Sequence, residues 1–185
     1  ENDRASVYGS IGVTYLGEVF AGWSKFPKKS MEKANAFAQK ALKLDKNNAE
    51  AYGVISWIYL MQGEYEKAVD IGEKAVTLCP NCAYMIAYHG VLVNYACRFE
   101  MAISLLEKAI RLNPLPPLFY FTYLGISYYH AGRYEDAIKI FKQVLRSDPQ
   151  NYMVNIGLTV AYNLSGRASD ARERAKILRS LHPDF

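Results

Sequence analysis

The residues best suited to chemistry are two closely spaced cysteines in the middle of the chain. Cys79 and Cys82 form a C-x-x-C sequence, the spacing of many metal-binding and thiol–disulfide motifs. A structural zinc site needs four ligands, and Cys97 is expected to lie roughly 20 Å away across an intervening helix. A redox motif usually places its first cysteine at a helix start after a strand, whereas Cys79 is expected to end a helix. We therefore interpret both as turn cysteines, with an incidental disulfide as the alternative, and expect no metal and no cofactor.

The three histidines do not assemble a catalytic group. His89, His130 and His182 are widely separated in the sequence. His89 occupies an apolar position of its predicted helix, so we expect a packed side chain. His130 is better placed for ligand contact, but no Ser or Cys nucleophile with an orienting carboxylate can be assigned beside it. Because the sequence also lacks a glycine-rich phosphate loop, we predict that the chain is not an enzyme.

The bulk composition is that of an ordinary globular domain. Of 185 residues, 51% are hydrophobic and 22% charged, and the formal net charge of +4 does not call for a nucleic-acid partner. Two uncharged stretches, 79–97 and 112–132, are interrupted by Pro, Gly, Asn or His, so no membrane span is predicted. Three cysteines without a disulfide framework favour the cytoplasm. The start without Met or signal peptide and the end after Pro183 suggest a piece of a longer protein.

The elements that position these residues follow from a repeat. Proline recurs at positions 80, 114, 149 and 183, at intervals of 34, 35 and 34 residues. Gly63, Gly132 and Gly166 keep the same phase, and small residues fall in the middle of each intervening apolar segment. Apolar residues spaced three and four apart surround them. Each unit is therefore predicted to be a helix, a tight turn, a second helix and a turn into the next unit.

This pattern resembles the tetratricopeptide repeat over nearly the whole chain. The characteristic positions of the second unit are Tyr52, Ile55, Ser56, Tyr59, Ala68, Gly72, Ala75 and Pro80. Those of the fourth unit are Phe121, Leu124, Gly125, Tyr128, Ala137, Phe141, Val144 and Pro149. The resemblance implies an all-α, right-handed superhelical solenoid of about five helical hairpins, or about ten helices. Gly72 departs from the aromatic preference of its position, which leaves the local packing open.

The repeat frame divides residues 1–185 into a single array. We predict an atypical first repeat at 5–48 with an insertion near 19–29, followed by repeats at 49–82, 83–117, 118–151 and 152–185. About ten extra residues separate the two helices of the first repeat. We expect its first helix to be lengthened, a loop to follow, and Ser30 to cap its second helix.

Several segments suggest a narrower relationship. Segments 22–24, 38–42 and 111–117, with Tyr120 and the run 132–134 downstream, are similar to the tetratricopeptide region C-terminal to bacterial class III adenylate or guanylate cyclase domains. Related arrays also accompany bacterial transcription regulators. The resemblance implies a regulatory or sensory module of a larger bacterial signalling protein, with any cyclase chemistry outside this sequence.

The candidate binding residues also follow from the family resemblance. First helices of such arrays line a concave groove, and this frame selects Trp57, Met61, Tyr84, Tyr88, Asn94, Tyr95, Phe119, Tyr123, Tyr129, His130 and Asn163. No Lys or Arg stands at the groove positions, which disfavours a clamp for a peptide carboxylate. Aromatic side chains suit an apolar or amphipathic peptide or helix, supplied by a partner protein or another segment of the parent protein.

Three alternatives remain open for this groove. It could bind a small hydrophobic ligand, associate with a second copy of the chain, or hold aromatics that merely pack between neighbouring units. Charged residues concentrate on the second helices, including the arginines of the last one, and are interpreted as a solvated face. Since no motif for reading nucleic acid accompanies them, no nucleic-acid partner is predicted.

Overall fold

The computed structural model describes residues 2–20 and 22–181, and these residues contain ten helices and no strand. The helices are α1 (Asn2–Phe20), α2 (Pro27–Leu44), α3 (Ala49–Met61), α4 (Tyr65–Leu78), α5 (Ala83–Tyr95), α6 (Phe99–Leu112), α7 (Leu118–His130), α8 (Tyr134–Ser147), α9 (Tyr152–Leu164) and α10 (Ala168–Leu181). The all-α prediction is confirmed. The chain divides into two compact units, Glu1–Cys97 and Arg98–Phe185. His182 and Pro183, which entered the sequence argument, lie outside the described residues.

Tight turns with one left-handed residue reverse the chain inside the hairpins. Gly63, Gly132 and Gly166 have φ angles of +79°, +76° and +78°, a region that glycine occupies without steric penalty. After α3, the amide of Glu64 donates to the carbonyl of Tyr59 over 2.9 Å, which closes the end of the helix. Cys97 takes the equivalent place after α5 with φ of +59°.

The first unit packs α1 against α2 and α3 against α4 through small residues. Ala34, Ala38 and Ala41 on α2 are completely buried, so the helix backbones approach closely. The amide oxygen of Asn48 accepts from the amide of Ala51 over 2.8 Å and caps α3. The expected lengthening of the first helix is seen, because α1 has 19 residues against 13 in α3.

The predicted capping role of Ser30 is wrong. Helix α2 begins at Pro27, with Phe26 at the N-cap and no side-chain capping bond. Proline is favoured at the first helical position because its fixed φ already suits a helix, and α2 therefore starts four residues earlier than expected. Ser30 is instead buried inside α2, where its hydroxyl shares a 2.8 Å hydrogen bond with that of Ser24.

A buried aromatic ring organises the packing of the second unit. Phe141 on α8 is fully buried between two glycines, Gly125 on α7 and Gly157 on α9. A Cβ atom on Gly125 would lie 2.5 Å from Cε1 of the ring, and one on Gly157 would lie 2.8 Å from Cζ. The ring therefore occupies space that any larger residue at either glycine would need.

In the first unit, different residues fill the space that Phe141 occupies in the second unit. Gly72 stands at the repeat position of Phe141, and a Cβ there would lie 2.6 Å from Cδ1 of Leu92 and 2.8 Å from Nδ1 of His89. Side chains from α5 thus fill the space left by the missing aromatic ring. The prediction that His89 is a packed histidine is confirmed, since it is almost completely buried.

Candidate partner-binding surface

A row of aromatic rings crosses three first helices of the N-terminal unit. The rings of Phe20 and Trp57 meet edge to face at a centroid distance of 4.6 Å, and Trp57 meets Tyr88 in the same way at 5.1 Å. Tyr84 lies one turn before Tyr88, with ring centroids 4.2 Å apart. Edge-to-face pairs of this kind hold aromatic side chains in fixed orientations.

Two further side chains extend this row along the same helix faces. Met61 follows Trp57 by four residues on α3, and Tyr95 follows Tyr88 by seven on α5, so each pair shares a face. We use the name N-terminal aromatic surface for Phe20, Trp57, Met61, Tyr84, Tyr88 and Tyr95.

The members of the N-terminal aromatic surface differ in what they expose. Met61 and Tyr95 are 56% and 44% exposed, and Tyr84 and Tyr88 are half-buried. Trp57 is only 6% exposed, so it mainly supports its neighbours. Its indole Nε1 is buried and has no hydrogen-bond partner among the described residues.

The repeat frame did not predict the burial of Asn94 or the part that Phe20 plays in the aromatic row. Asn94, which the frame places in the groove, is buried with 7% of its surface exposed. Phe20 belongs to the row but was not selected, because the insertion in the first repeat breaks the frame there. Its signal in the sequence is an apolar residue one turn or more beyond the normal end of a first helix.

The N-terminal aromatic surface carries no charge at its centre. The hydroxyl of Tyr84 donates a hydrogen bond to that of Tyr88. Burial, followed by the contact with Tyr84, raises the pKa of Tyr88 far above its ordinary value, so this phenol stays neutral. At the edge, the carboxylate of Glu50 accepts a 2.9 Å hydrogen bond from the hydroxyl of Ser10.

The C-terminal unit presents a second group of aromatic residues. We use the name C-terminal aromatic surface for Phe119, Tyr123, Tyr129 and His130 on α7 with Asn163 on α9. Phe119, Tyr123 and Tyr129 are half-buried, whereas His130 and Asn163 are exposed. Phe119, Tyr123 and Tyr129 therefore combine buried with accessible area on this surface.

His130 behaves as an aromatic rather than a cationic group. Its ring stacks on Phe99 of α6 with centroids 4.9 Å apart and an interplanar angle of 13°, and it also contacts Tyr129. Partial burial lowers the pKa of His130 below its ordinary value. Phe99 was missed because it opens a second helix, where the frame places no groove residues.

Ion pairs lie on the second helices and their turns. Arg133 pairs with Asp136 over 2.9 Å, and Arg167 pairs with Asp170 over 2.7 Å. These pairs are solvent-exposed, so each contributes little to stability. Their placement agrees with the interpretation of the second helices as a solvated face.

Of the chemical groups singled out first in the sequence, Cys79 and Cys82 lie close together between α4 and α5. Cys79 is the C-cap of α4 and Cys82 is the N-cap of α5. Neither forms a disulfide, and the exposed Cys97 is also a free thiol. Within the ranges described, no group of three or more His, Cys, Asp or Glu is arranged to hold a metal ion. None of the described helices is both long and apolar enough to cross a membrane.

The cavity enclosed beneath the N-terminal aromatic surface is too small for an organic ligand. The space beneath the N-terminal aromatic surface, bordered by Leu16, Val54 and Met85 among others, measures about 10 Å³. That is room for one water molecule, and small-molecule pockets are typically larger by more than an order of magnitude. A larger cavity of about 560 Å³ contains none of the residues of that surface in its lining, where Tyr52 and Leu78 stand beside the charged Lys46, Asp70, Glu73 and Lys74.

Family models of the tetratricopeptide repeat match three parts of the chain. The matched residues are 37–70, 95–152 and 128–185, which together span more than half of the sequence. The curated relatives include the transcriptional regulator HilA of Salmonella typhimurium (strain LT2) and that of Salmonella typhi. Each is 30% identical over 123 residues, covering 66% of this chain. The alignment spans only 22% of the length of those regulators.

Solved structures share the fold. PilW, a type IV pilus biogenesis factor, superposes with a TM-score of 0.81 at 21% identity, over 98% of this chain and 79% of its own. YrrB, described as a TPR protein with an unusual peptide-binding site, gives a TM-score of 0.70 at 24% identity over 85% and 80%. MamA from Desulfovibrio magneticus RS-1 gives 0.76 at 19% identity over 98% and 96%. Likeness at these identities establishes the fold and not the function.

Proposed function

The chain is a tetratricopeptide repeat protein, and from that premise we propose that it is a non-catalytic scaffold that binds an apolar or amphipathic helical peptide. The observation that carries the proposal is the row from Phe20 through Trp57 to Tyr88, which joins α1, α3 and α5 into one uncharged surface. Tetratricopeptide arrays generally serve as protein-interaction scaffolds. The aromatic surface further indicates that the partner presents apolar side chains.

The chemistry of this surface suits a helix better than an extended acidic tail. Met61 and Tyr95 offer accessible apolar area at the ends of α3 and α5. Methionine adapts its shape to a partner, while tyrosine gives large contact area at low entropy cost. An amphipathic helix presents apolar residues at three- and four-residue spacing, which match side chains projecting from parallel neighbouring helices.

Of the two alternative occupants, a small hydrophobic ligand is disfavoured by the structure. A small hydrophobic ligand needs an enclosing pocket, and the cavity beneath the N-terminal aromatic surface measures about 10 Å³. Self-association uses the same exposed residues, and it is therefore an outcome that the experiment below must distinguish.

The relatives support a regulatory setting. HilA is a transcriptional regulator, and the aligned region is about a fifth of its length, which leaves room for an output domain elsewhere. We propose that this array receives or relays an input for a larger bacterial signalling protein in the cytoplasm. Its partner would be a separate protein or another segment of the parent. In one version of this proposal, suggested by the similarity to cyclase-associated arrays, the parent protein carries a cyclase domain.

The test begins with peptides selected from a random display library on the immobilised chain. Calorimetry then compares binding of one selected peptide to wild type, Met61→Ala and Met101→Ala. Met61 and Met101 are both exposed, at 56% and 41%, but Met101 lies on the second helix α6. We expect Met61→Ala to weaken binding about 5- to 30-fold, the range for an energetically important contact residue, and Met101→Ala to leave it unchanged.

A Trp57 substitution is a poor first choice, because Trp57 is buried and its loss would disturb the fold. Tyr123→Ala tests the C-terminal aromatic surface separately. Equal affinities of the Met61 and Met101 variants for every selected peptide would contradict the proposed surface. A sedimentation mass that doubles with concentration, and falls back in Met61→Ala, would assign the surface to self-association instead.

A further inference from the structure

The loop between α1 and α2 exposes aromatic rings beside unpaired lysines. Trp23 is 80% exposed and Phe26 71% exposed, the largest exposures of any aromatic side chains among the described residues. Lys25 lies between them in sequence, and Lys28 and Lys29 follow in the first turn of α2. We use the name basic–aromatic loop for these five residues. It lies in the insertion that separates the first repeat from the others.

The lysines of the basic–aromatic loop are not neutralised by the protein. Throughout residues 2–20 and 22–181, no carboxylate forms an ion pair with Lys25, Lys28 or Lys29. Helix α2 has no acidic residue in its first turn and no side-chain cap. The amide groups and the dipole of a helix start are themselves electropositive, so lysines there are unfavourable without an anionic partner.

Hydrogen bonds hold the loop in place. The amides of Trp23 and Ser24 both donate to the carbonyl of Glu18, over 3.0 Å and 3.2 Å. The hydroxyl of Ser24 shares a hydrogen bond with that of Ser30 and accepts from the amide of Phe26 over 3.2 Å. The rings of Trp23 and Phe26 are thus attached to a backbone tied to both helices, and their exposure follows from the fold.

We propose that the basic–aromatic loop docks the chain on a membrane surface rich in anionic phospholipids. Tryptophan prefers the headgroup region of a bilayer, where its amphipathic ring is partly dehydrated. Lysines close to that surface are attracted by anionic headgroups, and phosphates suit the start of a helix. This function is peripheral and separate from partner binding, since the loop residues are not members of either aromatic surface.

A bilayer fits the geometry better than other anionic partners. Single-stranded nucleic acid is usually bound in a positively charged groove that tracks its backbone, whereas Lys25, Lys28 and Lys29 lie together in one short segment. The adjoining cavity of about 360 Å³ is lined mainly by polar atoms and includes the carboxylate of Glu18. It is therefore unsuited to binding the aromatic side chains of an acidic peptide. The protruding rings of Trp23 and Phe26 can insert into the headgroup region of a bilayer without a matching pocket.

The test is co-sedimentation of the whole chain with vesicles of phosphatidylcholine alone or with 30% phosphatidylglycerol, at 0.1 M and 0.5 M salt. We expect binding only to the anionic vesicles and weakening at high salt because charges are screened. Each lysine near such a surface contributes about fivefold in affinity, so Lys25→Gln, Lys28→Gln and Lys29→Gln together should weaken binding about 100-fold. Trp23→Ala with Phe26→Ala should also weaken it.

Matched controls keep the result specific. Replacing the exposed Lys43, Lys46 and Lys74 by glutamine removes the same charge from the same unit and should have little effect. Trp57 is already buried, so a blue shift of tryptophan emission on vesicle binding should disappear in Trp23→Phe. Circular dichroism checks that each variant remains helical.

Three results would overturn the proposal. They are failure of the wild-type chain to bind 30% anionic vesicles, equal binding by the two triple-lysine variants, and an unchanged emission maximum on binding. Binding of polyglutamate or single-stranded RNA without vesicle binding would assign the loop to an anionic polymer and equally reject the membrane. None of these results bears on peptide binding at Met61, so the two proposals fail independently.

Discussion

Replacing Gly125 by alanine should expose how tightly Phe141 fixes the spacing of helices in the second unit. The new methyl group would lie 2.5 Å from Cε1 and 2.7 Å from Cδ1 of the Phe141 ring, where ordinary contacts are 3.4–4 Å. The ring is fully buried and is confined on its other side by Gly157. Relief requires a displacement of about 1 Å that close packing resists.

The magnitude follows from two opposing effects. Overpacking a core costs about 1–3 kcal/mol, while alanine improves helix propensity over glycine by up to about 1 kcal/mol. We expect a net loss of about 1–2 kcal/mol in the free energy of unfolding. For a chain of this length each kcal/mol lowers the melting temperature by about 2–4 °C.

The assay is denaturant unfolding followed by circular dichroism, with Gly17→Ala as control. Gly17 is also helical, but a Cβ there meets no atom within 4 Å, so this change should be neutral or stabilising. Combining Gly125→Ala with Phe141→Leu should cost less than the sum of the single changes, since the smaller side chain makes room. Equal stabilities of Gly125→Ala and Gly17→Ala, or strict additivity of the pair, would refute the packing argument.

Three further expectations concern single residues. Cys97 is held at φ of +59°, so Cys97→Gly should raise the free energy of unfolding by up to about 1 kcal/mol in denaturant titration; a loss of stability would contradict the assigned backbone strain. Burial, then the 2.6 Å hydrogen bond donated to Glu107, raises the pKa of Tyr128 to about 12. The folded state therefore retains this proton above pH 10, and stability should fall between pH 10 and 12 more steeply in wild type than in Tyr128→Phe; identical pH profiles would count against it. Burial, then proximity to Cys82, raises the pKa of Cys79, so mass-spectrometric mapping should show slow alkylation by iodoacetamide at pH 7.5 that accelerates with pH; rapid alkylation at neutral pH would argue otherwise.

The repeat was predictable because its signals are local and recur in phase. Proline after most second helices and glycine inside most hairpins act through fixed backbone preferences, so they can be recognised without knowledge of tertiary contacts. Helix positions three and four apart identify a shared face for the same reason. This is enough to place Met61, Tyr88 and Tyr123 on first helices, as the structure does.

What the sequence could not supply is burial depth, since burial depends on which neighbour covers a face. Trp57 was expected in the groove, but Phe20 at the end of the lengthened α1 packs over it. Asn94 is buried at a position that the frame treats as accessible. Ser30 was assigned as a cap because its residue type is favoured, while Pro27 nearby carried the stronger local signal.

The central claim, that the first-helix surfaces bind a partner helix, is tested most directly by methyl NMR of the chain labelled at its methionines. A library-selected peptide is titrated into the labelled chain, which has five methionines. We expect the resonance of the exposed Met61 methyl on α3 to shift, and that of Met153 on α9 to report on the second unit, while the resonance of Met101 on α6 stays unchanged. A peptide that shifts Met101 and leaves both Met61 and Met153 unchanged would place binding on the second helices and contradict the account.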